Sequence, residues 1–273
     1  MSLDDPRAAA APEPDALYVG YLPAAPKRTA LWMRRVAPAL LAGGAALAAL
    51  LALLQQPADP GLFEYGVVRP VAGTVVERPY PMLIAAEGPD GAGAVASLLV
   101  RPGKHGAAAD VAGLEGRRVR LGATRIASPL GSMLELVPGT VEQAAGDALD
   151  PLPGAWGHAP RGVASGRIAV VGEIVDSKCF LGVMKPGRGK PHRSCAARCL
   201  SGGIPPQLLI EVADGSRRLL LLAHADGSAL EPSEVRDLVG EPVEAEGIVE
   251  RRAGVLLLRV DSAGLRRAHG ALP

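Results

Sequence analysis

All three cysteines of this chain, Cys179, Cys195 and Cys199, lie in one stretch, DSKCFLGVMKPGRGKPHRSCAARCLSGGI, with His192 among them. Three thiolates and one imidazole make the Cys3His set that suits tetrahedral zinc. Soft thiolates suit Cu(I) as well, and Met184 could then add a thioether. The candidate metal ligands are therefore Cys179, His192, Cys195 and Cys199, with zinc or copper as the ion. Their C-x12-H-x2-C-x3-C spacing is not a zinc-finger register, and the lack of CxxC or CxxCH speaks against covalently attached c-type haem.

The rival chemistry is that of sulfur alone. Cys179 paired with Cys195 or Cys199 would crosslink the segment, or a pair among the three would cycle between thiol and disulfide, leaving one thiol over. No acidic residue lies between Asp176 and Glu211, whereas Lys178, Lys185, Arg188, Lys190, Arg193 and Arg198 are basic. Such a field favours thiolate over thiol and serves a metal ligand and a redox thiol equally. His105 and His224 have no comparable company and read as surface or turn residues.

Positioning these groups requires a short helix. If Pro191 opens it, His192, Cys195 and Cys199 share one face and Cys179 closes the site from outside. About 10 Å of helix axis separates the first and last of them, so all four reach one ion only if the helix is irregular or His192 reaches back. Ser201-Gly202-Gly203 should end the helix with a glycine in the left-handed conformation, and Pro205-Pro206 prevents it from resuming.

The surrounding pattern is that of short strands. Val243, Ala245, Gly247 and Val249 alternate with Glu244, Glu246, Ile248 and Glu250, and 251–254 turns the chain into a last strand at 255–260. Residues 208–212 and 217–223 flank Asp214-Gly215, a hairpin signal. Residues 230–239, with Pro232 near their start, read as a short helix. A self-comparison repeats this order upstream: GTVVERPYPM at 73–82 aligns with GEIVDSKCFL at 172–181, and 114–137 aligns with 238–260. The expectation is a mainly β protein with two small OB-like antiparallel β-barrels, at 63–142 and 167–265, joined by a Pro- and Gly-containing linker at 143–166 and followed by a tail at 266–273. Trp156 and His158 fall in the linker, where the Trp is expected to pack against a barrel rather than form a ligand site. The first barrel has Pro79, Tyr80 and Pro81 where the second has Lys178, Cys179 and Phe180, so it reads as support or a docking surface.

Ahead of the barrels, residues 36–54 carry no charge and would make a helix of roughly 28 Å, enough to cross a bilayer. The apolar core starts too far from Met1 for an ordinary signal peptide. Lys27, Arg28, Arg34 and Arg35 precede it, and no Lys or Arg occurs in 55–65. The positive-inside rule then places the 1–35 tail, expected to be disordered, in the cytoplasm and both barrels across the membrane. A bacterial inner-membrane, single-pass protein with periplasmic domains follows. An apolar LYVGYLP patch at 17–23 offers an interfacial or docking segment.

Composition narrows the function classes. A net charge of +1 and 3% aromatic residues give no platform for nucleic acid. No Ser/His/Asp set, paired-carboxylate motif, phosphate-cradling glycine loop or nucleotide fingerprint stands out, which favours a non-enzymatic role. GEIVDSKCF at 172–180, GKPHRSCAARC at 189–199 and GGIP at 202–205 together resemble a group of largely uncharacterised bacterial exported or membrane-anchored domains. The resemblance covers roughly 172–260 and implies an envelope location and an OB-like barrel. It also supports the choice of Cys179, His192, Cys195 and Cys199, and it implies no reaction. The reading as a whole is a membrane-anchored, metal-binding accessory subunit of an envelope protein complex, with a thiol redox protein or a disulfide-stabilised docking protein as alternatives.

Overall fold

An unbroken apolar run with Ala and Leu at most positions has no polar face to set against water, and it forms one helix, α1 (Lys27–Leu54). In the computed structural model, which describes residues 25–55, 59–85, 95–145, 166–252 and 254–268, this helix buries none of its residues and is long and apolar enough to cross a membrane. It starts nine residues before the uncharged stretch, so Lys27, Arg28, Trp32, Arg34 and Arg35 belong to its first turns. The 17–23 patch, Trp156 and His158 lie outside the described residues. The chain divides into two units, Met1–Pro57 and Ala58–Pro273, and both barrels belong to the second.

The first barrel is built from β2 (Arg69–Val76), β3 (Met82–Ala85), β4 (Val95–Arg101), β6 (Arg118–Ser128) and β7 (Gly131–Leu136). Short strands β1 (Leu62–Phe63), β5 (His105–Gly106) and β8 (Glu142–Gln143) extend it, and α2 (Ala108–Val111) precedes β6. The second consists of β9 (Gly166–Asp176), β10 (Pro206–Glu211), β11 (Arg217–His224), β12 (Pro242–Arg252) and β13 (Val255–Arg267). Between β9 and β10 come α3 (Ser177–Leu181), a 3-10 turn (Lys190–His192) and α4 (Arg193–Ser201), and α5 (Pro232–Val235) precedes β12. The repeat read from the sequence is therefore a repeat of topology. In each copy the last strand pairs antiparallel with its predecessor and parallel with the third, β7 with β4 and β13 with β11, which closes five strands into a barrel in OB order.

The barrels are not purely antiparallel, because the third and fifth strands run in the same direction and closure must join them. The helix expected at 230–239 is a single turn, Pro232–Val235, held by a capping box between Glu231 and Glu234. The Asp214-Gly215 hairpin is present, with Gly215 in the left-handed region at φ 77° and Asp214 accepting from the Ser216 amide at 2.8 Å.

Strand alternation gives each barrel its own interior. Val75, Leu83, Leu99, Val119, Leu121, Leu134 and Leu136 fill the first, and Ile174, Leu208, Leu220, Leu222, Val243, Leu256 and Leu258 fill the second. The opposite faces of the same strands meet in a third core. There Met82, Leu98, Ile126 and Met133 of the first barrel pack in one cluster with Val175, Phe180, Leu181, Leu209, Leu221 and Leu257 of the second. The unbroken run Leu219–Leu222 is thus buried on both faces, alternate residues serving the interior and the seam. Each fully buried Leu contributes roughly 1.5–3 kcal/mol, enough to bind the barrels into one body. Cys179 and Cys199 lie in this seam.

Candidate metal centre

Cys179 is positioned by a cap. Strand β9 ends at Asp176, whose Oδ1 accepts the Cys179 amide at 2.8 Å and so starts α3 in the register that turns the thiol inward. Cys195 and Cys199 stand one turn apart on α4, which begins after the 3-10 turn containing Pro191. The C-terminus of α4 is a Schellman motif: Ile204 N–H donates to Cys199 O at 3.1 Å, Gly203 N–H donates to Leu200 O at 2.9 Å, and Gly203 is left-handed at φ 90°. This is the glycine stop expected from the sequence.

The three sulfurs converge. Cys179 Sγ is 3.9 Å from Cys195 Sγ and 3.8 Å from Cys199 Sγ, and all three thiols are free. Three thiolates about 2.3 Å from a tetrahedral zinc stand about 3.8 Å from one another, so both separations from Cys179 match thiolates on one ion. Asp176, Cys179 and His192 form a second group able to hold a metal ion, with their ligand atoms within 4.8 Å of one another. Cys179 belongs to both groups. The four residues singled out by sequence do not fall in a single shell, because His192 Nε2 is 3.0 Å from Asp176 Oδ2.

The cation at the sulfurs is one that the sequence did not single out. Lys104, from the turn between β4 and β5 of the first barrel, places its Nζ 2.9 Å from Cys195 Sγ and 3.5 Å from Cys199 Sγ. The basic residues of the cysteine segment are mostly engaged elsewhere. Lys178 pairs with Glu135 and donates to the carbonyls of Arg101 and Gly103, Lys185 donates to Phe180 O, Arg188 pairs with Asp59, and Arg193 with Glu241. Of the charges counted locally, Lys178, Arg188 and Arg193 are therefore neutralised by carboxylates from distant parts of the chain. The first barrel, read as support, supplies a side chain to the site.

Lys104 arrives by close backbone packing. Gly106 N–H donates to Gly202 O at 2.9 Å, and a Cβ on Gly202 would lie 1.7 Å from Lys104 O. Only glycine lets the turn approach the end of α4 this closely. Lys104 is held above its ordinary pKa, first by its hydrogen bond to Cys195. Cys199 is held below the usual thiol value by the hydrogen bond from Cys179, against burial, with Lys104 adding to the effect. Cys179 is pushed up by donating that bond, then by burial and the Asp176 carboxylate. The cluster thus reads as a thiol donating to a thiolate that an ammonium supports.

No signal linked Lys104 to the cysteines. Asp176 was legible in principle, since Asp at the end of an apolar strand just before Ser-Lys-Cys is a helix N-cap pattern.

Buried Glu173 adds a test of how the loop before α4 is held. Its Oε1 accepts the Gly189 amide, and burial raises its pKa above the ordinary carboxylate range. A carboxyl with a raised folded-state pKa binds its proton more tightly in the folded chain. Its contribution is complete below the unfolded value and declines as pH rises through the folded one. In chelator-treated protein, urea unfolding should show wild type losing stability relative to Glu173→Gln from about pH 4.5 upward. Parallel pH profiles for the two proteins would show that Glu173 carries no such linkage.

His224 is half-buried with its Nε2 3.1 Å from Glu234 Oε2, and His105 is exposed. No family model, curated protein or solved structure matches this chain. Fold and site together define a two-barrel β protein with a three-cysteine cluster that could hold a metal ion, preceded by one apolar helix.

Proposed function

We propose that this chain is a single-pass, membrane-anchored protein of the bacterial envelope, with its N-terminus in the cytoplasm and both barrels beyond the membrane. In this reading it acts without catalysis, as the metal-binding accessory subunit of an envelope complex. Basic residues in the first turns of α1, and the resemblance of 172–260 to exported or anchored domains, support the location. One observation carries the metal reading: three free sulfurs stand 3.8–3.9 Å apart about Cys179.

Of the two candidate groups, the trithiolate is the better host. Both oxygens of Asp176 are already engaged, by the Cys179 amide and by His192, whereas among the described residues the sulfurs hydrogen-bond to one another and to Lys104. His192 enters as the fourth ligand. With Nε2–H given to Asp176 it keeps Nδ1 for the ion, the carboxylate–histidine arrangement common behind metal-bound imidazoles. Joining the sulfurs requires the ring to move toward them. Zinc and copper both suit the donor set.

The test is elemental analysis of the full chain purified in detergent, with thiols counted before and after chelation. One zinc or copper per chain, with three thiols protected until chelation, is the expected result. Thiol–disulfide cycling is the second reading, favoured by half-buried Cys195 beside the Lys104 ammonium. Metal-free protein in which two thiols appear and vanish reversibly at a defined potential would decide for it.

A further inference from the structure

The two barrels repeat a topology, so their interiors can be compared position by position. The hairpins β6–β7 and β12–β13 end in the pairs Ser128–Gly131 and Arg252–Val255. Counting from these pairs matches Arg125 with Val249 and Ser132 with Leu256. The parallel closing pairs, Leu98 with Met133 and Leu221 with Leu257, match Ser97 with Leu220. In the second barrel Val249, Leu256 and Leu220 are buried members of the interior core. In the first barrel the same inward-facing positions hold an arginine and two serines, and a cavity of about 370 Å³ opens there.

Its walls are apolar, including Val71, Leu83, Val95 and Leu134. Ser97 Oγ and Ser132 Oγ lie 2.9 Å apart on one side. Among the described residues Arg125 Nε is buried with no hydrogen-bond partner, which an interior arginine does not retain without cost. The Glu64–Arg69 ion pair, 3.3 Å long, sits at the cavity edge, so the lining residues keep a net positive charge. Barrel mouths are common ligand sites, and a mostly apolar pocket with a few convergent polar groups is their usual form.

We infer that the first barrel is a binding module for a small carboxylate with an apolar body. Its carboxylate accepts from the Arg125 guanidinium and the serine hydroxyls, and its tail lies along the aliphatic wall. A guanidinium donates to a carboxylate through parallel N–H bonds, which orients the ligand as well as attracting it. This site is separate from the cysteine cluster and does not depend on metal binding there.

Calorimetric titration of the full chain in detergent with hexanoate, against hexanamide as a neutral match, tests this. Saturable hexanoate binding is expected, with hexanamide at least about tenfold weaker, since a charge-assisted bond to a carboxylate is lost. Arg125→Met should weaken hexanoate by about the same factor, and Ser132→Leu, which restores the residue of the second barrel, should close the cavity and abolish binding. Ser132→Leu also serves as the control for probe taken up by detergent and decides the matter should Arg125→Met fail to fold. The inference is overturned if wild type shows no saturable hexanoate binding at millimolar concentration. Equal affinity for hexanamide, or binding that survives Ser132→Leu, overturns it as well.

Discussion

Cys179→Ser should bind metal at least about 100-fold more weakly than wild type, and more weakly than Cys195→Ser. Cys179 is the one residue shared by the trithiolate group and the Asp176–Cys179–His192 group, so its loss dismantles both, whereas loss of Cys195 spares the second. Structural zinc sites bind with about 10–16 kcal/mol shared over four ligands, roughly 3 kcal/mol each. Removing one ligand should thus cost on the order of 100-fold in affinity. Cys179 is also buried in the seam between the barrels. A serine hydroxyl there adds about 1–3 kcal/mol of destabilisation unless it finds a partner. Competition with a chromophoric chelator gives the affinity and urea unfolding in excess chelator gives the stability. Metal affinity unchanged in Cys179→Ser would remove the sulfur cluster as the host.

The second large effect is expected at a residue with no chemistry of its own. Gly202 has φ −87°, which any residue adopts, so Gly202→Ala introduces no backbone strain. Its added Cβ, however, would lie 1.7 Å from the carbonyl oxygen of Lys104 and 2.9 Å from the carbonyl carbon. These are backbone atoms with no rotamer to yield, so the β4–β5 turn and the end of α4 must separate. Destabilisation of about 3 kcal/mol is expected, at the upper end for overpacking, with a fall in melting temperature of roughly 6–12 °C. The same displacement carries Lys104 away from Cys195 and Cys199. Lys104→Met separates the two consequences, since it removes the ammonium and leaves the glycine contact. In chelator-treated protein, thiol titration followed by thiolate absorbance should move upward in both variants, and the melting temperature should fall sharply only in Gly202→Ala. A Gly202→Ala protein as stable as wild type would show that the two barrels are not packed at this seam as described.

Much of the local design was legible. Clustering of the cysteines, the Asp214-Gly215 hairpin, the glycine stop after α4 and the apolar run of α1 are all signals between near neighbours in sequence. The internal repeat was legible too, because equivalent strands keep similar alternation and turns at similar spacing. What a local reading misjudged was charge. Lys178 looked available to the sulfurs, yet it is claimed by Glu135 and two carbonyls of the first barrel. Lys104 lies 91 residues before Cys195, and nothing near it in sequence pointed to the thiols. The short helix expected from Pro191 onward is split into a 3-10 turn and α4, which leaves His192 at the junction to pair with Asp176.

By itself the sequence determined the kinds of element: an apolar helix, two repeated sets of short strands, and an insertion that holds every cysteine. These follow from periodicity, turn residues and composition, which act over a few residues at a time. Tertiary structure decided which side chains face one another. Closure through parallel strands turned Arg125, Ser97 and Ser132 into one barrel mouth, and packing of the barrels along their outer faces brought Lys104 to the thiols. Contacts of that kind depend on the summed geometry of a whole sheet, and no pattern of near neighbours encodes it.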